Sequence, residues 1–474
     1  MINAMRDKYD LIIIGGGAAA FSAAIKANIH GVKALMIERA ALGGTCVNVG
    51  CIPSKNLLGA GEILHLAKNP PYPSVFSCDS EFDFLKTMSA KDNLVKSIRK
   101  QKYYDVLSSL ENVELIEESA SFVTPKKVRV DGKALEADKF IIATGSSPFI
   151  PQLKGIENVD YLTNNEALSL KEKPSSMIVV GGRALGLEFA QMYARFGTKV
   201  TLLQRSDKII PEHEPEIAGG LHNYLKEEGI EIATGVNVQE VYQKGNSKFV
   251  IASIDGDKKS QTFEAEQLLM ATGRKPNTAD LHLENAGVKL RSDGAIAVNS
   301  KMRTSVPHIW AGGDVIGEPM LETLAAKEGA TAAENALIGS QKKIDLLLVP
   351  SAIFTSPQVA SVGMTEEQMM QKYGYCSCRT LAMKDVPKAL TVNDTKGLIK
   401  MAVDPKKDNR IVGVHILAST AADMIHEAVM AVKYRLTIND IIDTVHVFPT
   451  MSEAIKLVAT SFKQDVSKLS CCAE

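Results

Sequence analysis

Residues 9–20, Tyr9-Asp10-Leu11-Ile12-Ile13-Ile14-Gly15-Gly16-Gly17-Ala18-Ala19-Ala20, pass from an apolar run into three glycines and then into alanines. The unbroken Leu11–Ile14 stretch predicts a strand covered on both faces, as in a parallel sheet. The alanines predict a helix. Gly15, Gly17 and Ala20 make the pattern G-x-G-x-x-A of a dinucleotide-binding βαβ unit. The first glycine forms the turn, and the second lets backbone N–H groups approach a pyrophosphate at the helix N-terminus. The small third residue allows close packing of helix on strand. Val32 to Ile37 is the next expected strand, and Glu38 stands at its end, where an acid contacts a ribose hydroxyl.

Just downstream lies Gly43-Gly44-Thr45-Cys46-Val47-Asn48-Val49-Gly50-Cys51-Ile52-Pro53-Ser54-Lys55. The glycines permit tight or φ > 0 backbone and close approach to a flat ligand. Pro53 suits a first helical turn, and Leu57, Leu58 and Leu64 recur at helical spacing. The cysteines therefore sit at a loop-to-helix junction. A helix N-terminus and the charge of Lys55 would both lower a thiol pKa there. Two thiols in this company read as a redox pair.

The fingerprint returns in altered form at Met177-Ile178-Val179-Val180-Gly181-Gly182-Arg183-Ala184-Leu185-Gly186, with Arg183 in place of the second glycine. Its Cβ hinders backbone approach to a pyrophosphate, while its guanidinium offers charged donors. The strand after it ends in Gln204-Arg205-Ser206-Asp207-Lys208, without the expected acid. Arg205 and Lys208 suit a 2′-phosphate, so NADPH is favoured over NADH. Residues from about 65 to 115 are expected to be helical. Phe140-Ile141-Ile142-Ala143-Thr144-Gly145 and Ala271-Thr272-Gly273 read as strands ending in glycine turns, and Ile309 to Asp314 delivers an acid to another. From about Pro350, apolar strands alternate with two helices.

Composition limits the function. A chain of 474 residues suggests about three domains. A formal net charge of -1 provides no field for nucleic-acid phosphates. No long apolar run free of charges suggests a membrane span, and Arg6-Asp7-Lys8 leads into a strand rather than a signal peptide. Seven cysteines without scaffold-like spacing fit reduced, cytoplasmic thiols with one catalytic pair. Cys78, Cys376 and Cys378 receive no role.

The cysteine segment resembles the redox-active disulfide signature of the flavoprotein disulfide reductases. The resemblance implies an α/β fold of two Rossmann-like domains, for FAD and NADPH, and a C-terminal α+β dimerisation domain. The expected divisions are 1–150 and 275–347 for FAD, 151–274 for NADPH and 348–474 for dimerisation. It implies FAD at Gly15, Gly17, Ala20, Glu38, Gly44, Thr45, Thr144, Gly145, Gly273 and Asp314. NADPH is assigned to Gly181, Arg183, Gly186, Arg205 and Lys208. Glu188 is expected to pair with Lys55 beside the flavin, and Tyr193 to lie near a metal site.

Two departures indicate the branch. Relatives that reduce organic disulfides place a proton-donating His directly before Pro-Thr; here Phe448 precedes Pro449-Thr450, with His446 two residues earlier and Glu453 retained. The chain also closes on Cys471-Cys472. Two neighbouring thiolates suit a soft cation. Both features resemble the mercury-reducing branch, without the N-terminal metal-binding domain that many of its members carry. That resemblance implies Hg(II) as substrate and a homodimer with shared active sites. Cys471 and Cys472 of one subunit would pass the ion to Cys46 and Cys51 of the other. An organic-disulfide reductase and a thiol protein that only sequesters metal are the alternatives.

Overall fold

The computed structural model describes residues 6–78, 81–254 and 260–470. The chain divides into two compact units, one of residues 1–54, 89–150 and 272–345, the other of residues 55–88, 151–271 and 346–474. The first opens with β1 (Lys8–Ile14), α1 (Ala18–Ile29), β2 (Ala34–Ile37) and α2 (Gly44–Val49), and the unit boundary falls inside α3 (Cys51–Lys68). Then come β3 (Val113–Ile116) and β4 (Lys133–Ile142), followed in the second unit by β5 (Ser176–Val180), α4 (Ala184–Arg195), β6 (Lys199–Leu203) and β7 (Gln267–Met270). β8 (Ile309–Ala311) and α5 (Glu322–Ile338) return to the first unit. The second closes with β9 (Gln358–Gly363), α6 (Glu366–Tyr373), β10 (Ser377–Ala382), β11 (Leu398–Asp404), β12 (Arg410–Ala418), α7 (Ala421–Tyr434) and α8 (Glu453–Thr460).

In the first unit, parallel strands lie in the order β3-β2-β1-β4-β8. Leu11, Ile12 and Ile13 are fully buried, which is what an apolar run covered on both faces requires. The alanines of α1 have a packing reason: Ala20, Ala23, Ala24 and Ala27 share one core with Ala332 and Ala333 of α5. A Cβ on Gly329 of α5 would come within 2.0 Å of the Ala19 carbonyl, so the helices touch through their backbones. Lys26 of α1 reaches Glu334 of α5 at 2.7 Å.

In the second unit, β5 lies between β6 and β7 in a parallel sheet. Leu57 and Leu58 of α3 join its core with Leu187, Phe189 and Tyr193 of α4. Beyond it, an antiparallel sheet runs from Ser351–Ile353 through β9, β12, β11 and β10. Met424, Ile425 and Ala428 of α7 and Ile455 and Val458 of α8 are buried in that sheet's core.

Three local expectations change. The second strand begins at Ala34, because Val32 is still completing the turn after α1. The helical stretch breaks after Lys68, where Pro70, Pro71 and Pro73 cannot donate the bonds a helix needs, and a helix runs again over Phe84–Arg99. Among its described residues the C-terminal region holds five α-helices rather than two, the short ones at Pro387–Thr391 and Ile438–Ile442 being below the length that apolar periodicity resolves. No helix among the described residues is long and apolar enough to cross a membrane.

Candidate active site

Cys46 lies in the first turn of α2 and Cys51 begins α3. Gly50 joins the two helices, and a Cβ there would meet the Thr45 carbonyl at 2.8 Å, so only glycine lets the chain fold back tightly enough to bring the sulfurs together. The two side chains are hydrogen-bonded. That bond is the main reason the Cys46 thiol is pushed up from the ordinary cysteine range, followed by burial and by the charges of Cys51 and Glu322. This reverses the lowered pKa expected for it, because the second sulfur, burial and a carboxylate outweigh the helix terminus.

Glu322, the first residue of α5, is a functional candidate that sequence reasoning missed. Its carboxylate accepts a hydrogen bond from Cys46, and it is raised to about 7, first by burial and then by the Cys51 charge. Nothing in the local pattern Met320-Leu321-Glu322 marks it. Tyr103 is also raised, chiefly by burial, with Glu322 and both cysteines contributing.

Lys55, one turn after Cys51 on α3, directs its Nζ to Glu188 Oε2 at 2.6 Å. The second oxygen of Glu188 accepts from the Phe354 backbone N–H at 2.9 Å, and the Lys55 ammonium lies 4.7 Å from the Phe354 ring centroid. Lys55 and Glu188 are therefore locked as an ion pair, as the resemblance implied.

The residues assigned to FAD fall in the first unit. Gly17 caps α1 with no side chain on the first-turn amides, and a Cβ on Gly44 would stand 2.8 Å from the Gly17 Cα. Two glycine backbones thereby form a groove without side chains at a helix N-terminus, which fits a pyrophosphate. Ala20 is fully buried, as close helix packing needs. Glu38 lies over the loop, with its carboxylate 2.9 Å from where a Gly16 Cβ would be, and its Oε1 accepts from Ala40 N–H. Asp314 Oδ2 accepts from Ser146 Oγ at 2.6 Å. Thr144 donates to the Asn277 carbonyl, Thr45 receives Arg274, and Gly145 (φ +68°) and Gly273 (φ +114°) face open space. A backbone anion site with one carboxylate for a diol and another for a polyol suits FAD.

In the second unit, Gly181 has φ +120° and a Cβ there would strike the Ala271 carbonyl. Arg183 caps α4 at φ −98°, extended backbone that any residue adopts, so the missing glycine distorts nothing. Its guanidinium stands 3.6 Å from Glu212. Gln204, where the acid was expected, is buried and accepts from Gly182 N–H at 2.8 Å. A neutral amide here, with Arg205 exposed and Lys208 half-buried just beyond, suits a coenzyme carrying an extra phosphate.

Three assignments fare differently. Tyr193 is fully buried, with its hydroxyl donating to the Ala167 carbonyl at 2.5 Å and its ring edge-on to Phe196; it is a core residue with no face toward a metal. Cys471 and Cys472 lie outside the described residues. His446 holds Glu427 through Nε2 at 2.8 Å and the Thr444 carbonyl through Nδ1 at 3.0 Å, while Phe448 is 46% exposed.

A cysteine pair beside one dinucleotide cradle, with a second cradle on the following domain, defines a pyridine-nucleotide-linked dithiol oxidoreductase. Residues 9–329 match the pyridine nucleotide-disulphide oxidoreductases, and residues 349–459 match the dimerisation domain of that group. The chain belongs to this family; it is an oxidoreductase using FAD and NADPH, and its last domain is that of a homodimer. Among curated relatives it is 43% identical to the mercuric reductase of Lysinibacillus sphaericus, over 98% of this chain and 85% of that one. It is 40% identical to the mercuric reductase of Streptomyces lividans, over 98% of each. A solved Cu(II) complex of the HOCl-induced flavoprotein disulfide reductase RclA from Escherichia coli superposes with TM-score 0.86 at 28% identity, covering 97% of this chain and 100% of that one.

Proposed function

We propose that this protein reduces Hg(II) to Hg(0) with NADPH, in the cytoplasm, through Cys46 and Cys51. The observation that carries the reading is 40–43% identity to mercuric reductases along 98% of the chain, joined to a hydrogen-bonded cysteine pair, Cys46 half-buried and Cys51 exposed, with a carboxylate on the Cys46 thiol. FAD, when bound, relays two electrons from NADPH to the site.

The chain's own residues prepare that transfer. Cys471 and Cys472 of one subunit capture Hg(II) as a dithiolate and pass it to Cys46 and Cys51 of the other. Each new Hg–S bond replaces an old one, so charge is conserved through the exchange. Cys46 must lose its proton to become a ligand, and Glu322 is the base hydrogen-bonded to it. The Lys55–Glu188 pair fixes a positive charge on α3 one turn beyond Cys51. After two electrons reach the ion, Hg(0) leaves as a neutral atom and both thiolates remain for the next cycle.

Reduction of an organic disulfide is the second reading, favoured by the structural likeness to RclA. It needs an acid for the leaving thiolate. Phe448 transfers no proton, and both ring nitrogens of His446 are engaged with acceptors.

The test is NADPH oxidation dependent on Hg(II), measured with excess small thiol in wild type, Cys51→Ser and Cys471→Ala/Cys472→Ala. Mercury-dependent turnover with release of mercury vapour, absent in Cys51→Ser and slowed in the tail variant, is the expected result. Oxidation elicited only by an organic disulfide supports the second reading, and stoichiometric Hg(II) uptake without NADPH consumption makes the protein a sequestering agent.

A further inference from the structure

Cys376 and Cys378, left without a role by the sequence, meet other soft and charged ligands in the second unit. Cys378 is in β10 and Cys376 directly precedes it, so residues two apart share one face of the strand. They are joined as a disulfide, with Cα atoms 6.2 Å apart. A Glu366 carboxylate oxygen and the two sulfurs all lie within 4.8 Å of one another. The Met369 thioether is 3.8 Å from the Cys376 sulfur, one turn along α6 from Glu366. Lys400 holds Glu366 at 2.7 Å and fixes the carboxylate's position. Both cysteines are half-buried, and Met369 is fully buried with Met364, Ala402 and Val412 around it.

We propose that Cys376, Cys378 and Glu366, backed by Met369, form a second soft-cation site, active when the Cys376–Cys378 disulfide is reduced. Metal–sulfur bonds of about 2.3 Å at a tetrahedral centre separate two thiolates by roughly 3.8 Å, so a three-ligand set of this spread needs only a small opening. Two thiolates and a thioether select soft, thiophilic cations, and the carboxylate completes the set. Entry to the cation-binding form is a thiol–disulfide exchange. Two molecules of a small thiol are oxidised to their own disulfide; the Cys376–Cys378 S–S bond breaks and two S–H groups form. Cation binding then releases the two thiol protons and makes two metal–sulfur bonds. Oxidation withdraws both ligands at once, so occupancy follows the thiol redox state. The site shares no residue with Cys46 and Cys51, and a protein that reduced only disulfides would carry it equally.

The experiment uses the full chain with FAD bound, treated with excess small thiol, desalted without air and titrated with cadmium chloride in equilibrium dialysis. Wild type is compared with Cys376→Ser/Cys378→Ser, whose basal NADPH oxidation is expected to match wild type. The double variant is expected to bind one Cd(II) fewer per chain, and Glu366→Gln to weaken that cation's binding about tenfold, the loss of one charged ligand. Should the double variant not take up FAD, Cys378→Ala alone is expected to lose the same equivalent. Equal Cd(II) stoichiometry in wild type and the folded cysteine variant overturns the proposal. So does a variant that loses only thermal stability, which would make the pair a structural clasp.

Discussion

Single residues here divide between those that face chemistry and those that hold the core. Tyr193 belongs to the second group, so Tyr193→Phe should lower stability by about 1 kcal/mol, through the Ala167 carbonyl left buried without its donor. Turnover per bound FAD should stay within the error of wild type; a large fall in kcat with normal stability would return the tyrosine to the site. Arg205 and Lys208 make the opposite case. Replacing both by Ser should raise the KM for NADPH at least tenfold, on the order of one charge-assisted phosphate contact, and leave that for NADH unchanged. Equal effects on both coenzymes would show that neither residue contacts a 2′-phosphate. Both cysteines and the glycines around them were readable from spacing alone. Glu322 was not, because it lies far along the chain and no short pattern links it to Cys46.

At the scale of elements, the small residues are as informative as the charged ones. Gly186 lies in the first turn of α4, and a Cβ there would come within 1.8 Å of the Gly181 carbonyl. Gly186→Ala should displace the helix start, cost about 3 kcal/mol and impair NADPH binding more than FAD content, measured by urea unfolding and by coenzyme titration. Unchanged stability would mean that the loop yields freely. α1 and α5 are alanine-rich for the same reason, namely backbone contact rather than helix propensity alone. Strand β1 was legible because burial on both faces leaves an unbroken apolar run. The break after Lys68 was legible only in part, since prolines forbid a helix without saying what replaces it.

For the whole molecule, acid sensitivity follows from buried histidines of the second unit. His213 is held down to about 4, chiefly by burial and next by His415, which is itself lowered mainly by burial. His213 contacts Ser361 Oγ at 3.2 Å, and His415 donates to the Met364 carbonyl at 3.1 Å, with Glu214 and Lys400 as their charged neighbours. An unfolded histidine takes up its proton near 6.5, whereas the folded one resists until about 4. Stability is therefore fully present above pH 6.5 and falls as pH drops from 6.5 toward 4. Urea midpoints measured at pH 7 and pH 5 should show this fall, and His213→Gln should reduce it. An identical pH dependence in the variant would rule His213 out as a source.

The sequence by itself determined the two dinucleotide folds, the cysteine pair and the missing proton donor before Pro449. These reside in short spacings, where backbone geometry ties residue type to conformation. Only the tertiary structure decided that Glu322 reaches Cys46, that Tyr193 is core, that both ring nitrogens of His446 are held, and that Cys376 and Cys378 meet Glu366 and Met369. Those contacts join elements distant along the chain, and the packing that selects them depends on every surface around it at once.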